Sequence, residues 1–442
     1  MTAGRTAGRT ASRADGSGAR RVVITGLGVI APNANGVADF EMALRKGRSG
    51  LKHQDSMAEA GFGCTVAGTP DGVDALCEAS FAEDELLAMN MNHRYASLAA
   101  IEAWQDAGLE RPARDSDEVD WRSGAILGTG IGGMDTIAEK VVPMTNAGKV
   151  RRMGSTAVEQ VMASGISARI SGQLALGNQV TTNSSACSTG TEALAMGLER
   201  IRDGLADRML CGGAESASHY IWAGFDAMRV LNRNSNDAPE KASRPLSASA
   251  GGFIPGSGAG VVLLESLDSA LERGARIHAE LSGAAVNCGG HRMGGSMTAP
   301  NPTSVQRCIA QALADAGVSP DQVDVINGHL TATGADPKEV ASWAKALERK
   351  PGTLPPLTAT KSMIGHALGA AGGIESVASV LMVARGFVHP SINCEDVHPE
   401  IEAHAASIPH SMMEMPNLDV LVKAGFGFGD VNACLVFKRY KA

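Results

Sequence analysis

The chain has few aromatic residues, no paired cysteines and no long basic run, and each lack excludes something. Phe, Trp and Tyr together make up 4% of its 442 residues, too few for a surface on which nucleic-acid bases stack. The formal charge is −8, from 47 acidic and 39 basic side chains. Nucleic acid and anionic membranes are therefore poor partners, although a local basic patch for an acidic protein fits within a negative total. Eight cysteines are scattered without a Cys-x-x-Cys pair, which leaves a zinc ribbon or a thioredoxin-type motif unsupported. No apolar run reaches the ~18–20 residues of a membrane helix. The expectation is a cytoplasmic protein with reduced thiols and no metal.

Glycine, by contrast, is abundant at 53 residues, and hydrophobic residues reach 44%. The glycines suggest tight turns and close backbone approaches. The apolar content is enough for one large or two medium cores. Residues 1–20 are Thr/Ala/Gly/Arg-rich, lack an apolar segment and read as a disordered tail. Order begins at Arg21, with a β-branched run that looks like a strand buried on both faces. Gly26-x-Gly28 follows, but the third glycine of a dinucleotide motif is missing and Pro32 intervenes. Helical and strand patterns then alternate: helix 94–107, strand 124–128, helix 157–174, strand 179–183, helix 189–203, strand 209–215. The rhythm restarts with strand 277–286, helix 304–316, strand 323–327, helix 337–347, strand 357–360, helix 369–385 and strand 433–438. This predicts an α/β chain with a mostly parallel sheet. Two similar halves, 21–270 and 271–442, suggest an internal duplication with a boundary near 265–275.

Cys187 stands where a buried strand runs into a helix, flanked by Ser and Thr. Unpaired N–H groups and the helix dipole at such a turn favour a thiolate near neutral pH. Cys211, Cys308 and Cys434 sit among aliphatic residues and read as small buried hydrophobes. His329 follows strand 323–327 directly, and His366 lies in a glycine-rich turn that opens a helix. Strand-to-helix junctions of this kind are where α/β sites assemble. Two imidazoles there can donate to an oxygen that gains charge, or move a proton. Lys361 and Glu375 flank His366 in sequence and are suited to orienting the rings. Gly425–Asn432, with Phe426 and Phe428, reads as a glycine-rich loop able to act as a gate, and residues 297–302 form a second loop of that kind.

Together these residues resemble the β-ketoacyl-[acyl-carrier-protein] synthases of the Cys-His-His type, a group close to the type II polyketide ketosynthases. The likeness covers residues 20–440. It rests on Ser-Ala-Cys-Ser-Thr-Gly, His-x-Thr-x-Thr, Lys-Ser-Met-x-Gly-His-x-Leu-Gly-Ala-Ala-Gly and Gly-Phe-Gly-Phe-Gly, in that order, with echoes in Arg244-Pro245 and residues 252–260. The resemblance implies a thiolase-like fold, a duplicated α/β core in five layers (α-β-α-β-α), and a dimer of identical or ketosynthase-like subunits. It implies no tightly bound cofactor, the substrates arriving on the phosphopantetheine of an acyl carrier protein. Cys187 would take the acyl chain. His329 and His366 would stabilise the enolate left when malonyl carrier protein loses CO2, with Lys361 and Glu375 in support. The backbone N–H groups of Cys187 and Phe428 would form the oxyanion hole. Thr331 and Thr333 would contact the phosphopantetheine arm, with Phe253 and Phe426 beside the substrate. Ile131 would floor the acyl pocket, and Arg229 and Arg233 would face the carrier protein.

Four residues depart from the family pattern: Leu330 and Asp430 where glycine is usual, and Gly251 and Ser257 at usually acidic positions. Two other readings compete. One is a non-catalytic chain-length-factor subunit, which retention of Cys187 opposes. The other is a coenzyme A-dependent thiolase or starter enzyme, which His366 in place of a second reactive cysteine opposes.

Overall fold

A computed structural model describes residues 20–441; the expected tail lies, but for its last residue, outside them. The first half runs β1 (Val22–Ala31), α1 (Met91–Asp106), β2 (Ser123–Gly128), α2 (Gly165–Leu174), β3 (Val180–Thr181), α3 (Thr189–Arg202), β4 (Arg208–Glu215) and β5 (Gly258–Ser266). The second half repeats that order: β6 (Ala279–Cys288), α4 (Pro302–Asp315), β7 (Val325–Asn327), α5 (Asp336–Ala346), β8 (Leu357–Thr358), α6 (Ala371–Arg385), β9 (Val420–Gly427) and β10 (Val431–Lys438).

The ten strands lie side by side in the order β8-β7-β9-β10-β6-β1-β5-β4-β2-β3. That order reads the same from either end once each strand is exchanged for its counterpart. Within the sheet the halves pair through two residue pairs, Val23 with Glu280 and Ile24 with Ala279. Even the bulges correspond. Register slips at Thr25, the fourth residue of β1, against β5, and at Ser282, the fourth residue of β6, against β10. Each half is therefore a sheet of five strands, and the two sheets join at one corner.

Helices α3 and α6 pack between the sheets, α1 covers the outer face of the first and α4 that of the second. The layers are thus α-β-α-β-α. The middle layer explains the composition of α6. From Ala371 to Val383 every residue is buried, so apolar residues face every side of the helix, as enclosure requires, and its one buried charge, Glu375, is paired with lysines. The stretch Leu368–Arg385 is long and apolar enough to span a membrane, with mean hydropathy 1.3, contrary to the reading that no such run exists. Its burial inside the protein marks it as a core helix.

Three expectations need correction. The sheet is mixed rather than mostly parallel: β2 with β3 and β4, and β7 with β8 and β9, are parallel, while β1–β5, β1–β6, β4–β5, β9–β10 and β6–β10 are antiparallel. Strands β5 and β9 return beside β4 and β10, and neither stood out as a strand in the sequence. Second, helix 157–174 is broken: Ala157–Val161 ends at Met162, whose ψ of 134° leaves the helical region, and α2 restarts at Gly165, against His93. Third, residues 425–432 are not one loop. Gly425–Gly427 finish β9, Val431 starts β10, and only Phe428–Asp430 turn.

The rejected dinucleotide motif has a packing explanation. A Cβ on Gly26 or Gly28 would lie 1.9 Å from a carbonyl oxygen of α1, so these glycines let the helix press onto β1.

Candidate active site

Cys187 occupies a short 3-10 turn, Ala186–Ser188, directly before α3. Ala186 has φ +50°, an unfavourable conformation for a residue with a Cβ. Hydrogen bonds hold it there. Thr189 Oγ1 accepts from Ser185 N–H at 2.8 Å and donates to the Ala186 carbonyl at 2.7 Å. Ser188 Oγ lies 3.0 and 2.9 Å from the carbonyls of Gly425 and Val431. That last pair ties the cysteine turn to β9 and β10 of the other half.

His366 sits at the equivalent turn before α6. Its N–H donates to Ile254 O at 2.7 Å and its carbonyl accepts from Gly256 N–H at 2.9 Å, so the glycine-rich stretch 252–260 cradles it. The turns before α3 and α6 meet because the helices cross with almost nothing between them. A Cβ on Gly190 would lie 2.4 Å from Gly373 N, and one on Gly372 would lie 2.3 Å from Thr191 N. Two larger residues there would push the sulfur and the imidazole apart.

His329 follows β7 in a turn that bends hard. Leu330 has φ +27° and Ala332 φ +62°. Two buried carboxylates at the start of α5 hold this turn. Glu339 accepts from His329 N–H at 2.7 Å and Leu330 N–H at 2.9 Å, while Asp336 accepts from Thr331 N–H at 2.9 Å and Ala332 N–H at 3.1 Å. Burial, then the neighbouring Asp336, pushes the Glu339 carboxyl up to about 7. Leu330, where the family favours glycine, is fully buried in the second half's core, so side-chain burial offsets its backbone strain.

The sulfur of Cys187 and one ring nitrogen each of His329 and His366 lie within 4.8 Å of one another. The rings stand edge to face, centroids 5.4 Å apart. Each ring's Nδ1 meets a donor: the Lys361 ammonium is 3.4 Å from His329 Nδ1, and Leu368 N–H donates to His366 Nδ1 at 3.1 Å. A neutral imidazole whose Nδ1 accepts must carry its proton on Nε2. His366 Nε2 is buried with no hydrogen-bond partner among the described residues, an unusual state for a buried donor. Protonated Nε2 atoms have no lone pair for a metal, so this trio suits an oxygen ligand rather than zinc.

Beneath the rings lies a buried charge cluster. The Lys361 ammonium donates to Glu375 and, at 2.6 Å, to the His329 carbonyl. Glu375 also has Lys423 Nζ at 3.1 Å. Burial, then Lys361, lowers both imidazoles well below the usual histidine range. Burial likewise pushes the Cys187 thiol up to about 11, against the opposing pull of Lys361 and of the Phe428 N–H. Desolvation thus opposes the thiolate that the helix N-terminus favours.

Cys187 separates two cavities. One, of about 210 Å³, is lined by Thr331, Thr333, Phe253, His366 and Phe426, with Thr298 and Pro300 from the second predicted loop. The other, of about 100 Å³, is lined by Ile131, Gly130, Ala186 and Leu368. Phe225 and Phe428 border both. The Phe253 ring is 5.3 Å from His366 and the Phe426 ring 6.0 Å from His329. The Ile131 loop is fixed by buried Glu215, which accepts from the N–H groups of Gly130 at 2.8 Å and Gly369 at 3.0 Å. Asp430, with φ +62°, accepts from Asn301 N–H at 2.7 Å and His291 N–H at 3.1 Å. It thus fastens the Phe428 turn to the 289–301 loop.

Arg229 and Arg233 are exposed on the surface near Val230, which borders the larger cavity. Arg233 is partly engaged by Asp226 at 3.0 Å. Cys211, Cys308 and Cys434 are fully buried, as expected. Sequence reasoning missed Glu215, Asp336, Glu339 and Lys423. The available signal was position: Asp336 and Glu339 fall in the first turn of a helix, and Lys423 interrupts an apolar strand.

The layered halves and the Cys-His-His cluster define a condensing enzyme of thiolase-like fold. The chain belongs to the β-ketoacyl synthase family: residues 19–270 match the family's N-terminal domain and residues 278–395 its C-terminal domain. It is 34% identical over 429 residues to 3-oxoacyl-[acyl-carrier-protein] synthase 2 of Synechocystis sp., covering 96% of this chain and 99% of that one. It is 35% identical to the chloroplastic synthase I of Arabidopsis thaliana, covering 96% and 87%. Among solved structures, the ishigamide ketosynthase/chain length factor superposes with TM-score 0.85 at 32% identity, covering 96% of this chain and all of that one. A type II polyketide synthase acyl carrier protein in complex with its hexaketide-bound ketosynthase gives 0.84 at 28%, with the same coverage. The protein is an acyltransferase.

Proposed function

We propose that the protein extends acyl chains by decarboxylative condensation, with Cys187 as the acyl carrier and His329 and His366 as the enolate-stabilising pair. In the first half-reaction the Cys187 sulfur attacks the thioester of an acyl carrier protein. The thiol proton leaves with the phosphopantetheine sulfur, and the acyl chain lies toward Ile131. The N–H groups of Cys187 and Phe428 hold the developing oxyanion.

Malonyl carrier protein then reaches the cysteine from the side of Thr331 and Thr333. Its C–CO2 bond breaks, and the electron pair enters the thioester as an enolate. The two Nε2–H groups donate to the enolate oxygen. The α-carbon attacks the Cys187 thioester, and collapse of the tetrahedral intermediate releases the 3-oxoacyl product and frees the sulfur, which regains a proton. Lys361, anchored by Glu375, holds the His329 ring, and its charge helps to keep both rings neutral. Neutral rings are the useful form here, because they are donors that need not give up a proton. The observation that carries this reading is the sulfur and two ring nitrogens within 4.8 Å, between two cavities.

The acyl carrier protein is the partner, approaching the surface that bears Arg229 and Arg233. Strand β3 lies at the outer edge of the sheet with its residues half-exposed. An unpaired edge is a natural seam for a second, identical or ketosynthase-like, subunit. We place the enzyme in the cytoplasm, in fatty-acid or polyketide synthesis. Cys187→Ala tests the assignment: acyl loading and condensation fall to background while malonyl decarboxylation survives. Condensation that persists refutes the nucleophile.

A further inference from the structure

Lys423 is fully buried in β9, a strand otherwise made of Val, Leu, Ala, Gly and Phe. Its backbone pairs with Asn327, two residues before His329. Its side chain crosses into the middle layer, where the ammonium donates to Thr191 Oγ1 on α3 and lies 3.1 Å from Glu375 on α6. A lone lysine in such a place is costly unless it is paired. Glu375, however, already has a cation in Lys361. Two ammoniums therefore share one carboxylate, and the cluster beneath the rings carries an excess positive charge. We propose that Lys423 is a positioning residue for the condensation, supplying the second fixed cation that keeps His329 and His366 neutral in acid.

The groups facing the two rings from every side bear this out. His329 has Lys361 at its Nδ1 and the Glu339 carboxylate on its own backbone N–H. His366 has Phe253 on one side and the Leu368 N–H at its Nδ1. The neutral thiol of Cys187 faces both. Glu375 is the one carboxylate in the cluster below, and its single negative charge is shared by two lysines. Burial is the largest cause holding each ring's pKa down; Lys361 and Lys423 add to it. Removing Lys423 leaves a one-to-one pair and raises the tendency of the rings to protonate.

The inference rests on the proposed role of the two imidazoles, and its test separates the two. The pH profile of malonyl decarboxylation is measured for the full-length wild type, Lys423→Met, Lys423→Arg and Thr191→Val. In Lys423→Met the acid limb moves up by about half a pH unit or more. Lys423→Arg restores it, and Thr191→Val, which keeps the cation, leaves it in place. A folded Lys423→Met with an unmoved acid limb overturns the lysine's role. If His366→Ala retains full decarboxylation, the imidazole reading falls instead. Nitrogen-15 NMR of labelled histidines at about pH 5.5 compares the wild type with Lys423→Arg and folded Lys423→Met: rings neutral in the first two and more protonated in the third support the inference, and equal protonation in Lys423→Met, or a protonated ring in the wild type, overturns it.

Discussion

The turn before α3 and the turn before α6 occupy the same place in the two halves. Both follow a short parallel strand, both contain a non-glycine residue at positive φ (Ala186 and Leu368), and both open a helix of the middle layer. Their chemistry differs. The first presents a thiol to two cavities, and the second presents an imidazole whose Nε2 has no partner. Burial acts on both in the same way, by suppressing charge: the thiol is pushed up to about 11 and the imidazole well below its usual range. One topological position, duplicated and then brought together by a glycine crossing, presents a thiol in one half and an imidazole in the other, and burial disfavours the charged form of each. The charged groups, Lys361, Glu375 and Lys423, lie beneath the rings.

Breaking the comparison at its chemical end has the largest effect. His366→Ala removes one of two donors to the enolate and is expected to slow malonyl decarboxylation by about 100-fold or more, as measured by release of labelled CO2. Breaking it at the crossing comes next. Gly190→Val drives a side chain into the Gly373 backbone and should destabilise the fold by about 2–3 kcal/mol, read as a lower urea midpoint with an unchanged slope. A midpoint equal to wild type would mean that the helices do not cross as closely as described.

Leu330→Gly removes strain and burial together. Strain relief is worth about 1–3 kcal/mol, and loss of a buried leucine costs about 2–5 kcal/mol. At the middle of the two ranges a net loss of about 1–2 kcal/mol is expected, and a gain in stability would show that strain dominates that turn. Gly172→Ala sharpens the contrast from the other side. Gly172 lies in α2 at ordinary φ with nothing within 4 Å of a Cβ, so alanine there should stabilise by about 0.5–1 kcal/mol. The two glycines differ in their neighbours, and the sign of each effect tests that.

Much of this was legible in the sequence because the site uses residues whose context is local. Cys187, His329 and His366 each mark a strand-to-helix junction, and junctions leave punctuation in glycine and small polar residues. The antiparallel strands were less visible. Gly258–Ser266 and Val420–Gly427 are buried on both faces, so they lack alternation, and their glycines mimic a loop. Lys423, Asp336 and Glu339 were hidden for another reason. Their partners lie on other elements, Glu375 and Thr191 for the first and the backbone of residues 329–332 for the other two, and only the fold brings them together. For Cys187, position at a helix start is visible in sequence whereas desolvation is not.

Cys187, rather than any of the seven other free cysteines, is expected to carry the acyl chain between the two cavities. Incubating the enzyme with an acyl-loaded carrier protein and mapping the modified peptide by mass spectrometry tests it directly. One acyl group per chain on the peptide containing Cys187 is the predicted result. An acyl group on the exposed Cys288, or on no cysteine at all, would contradict the account.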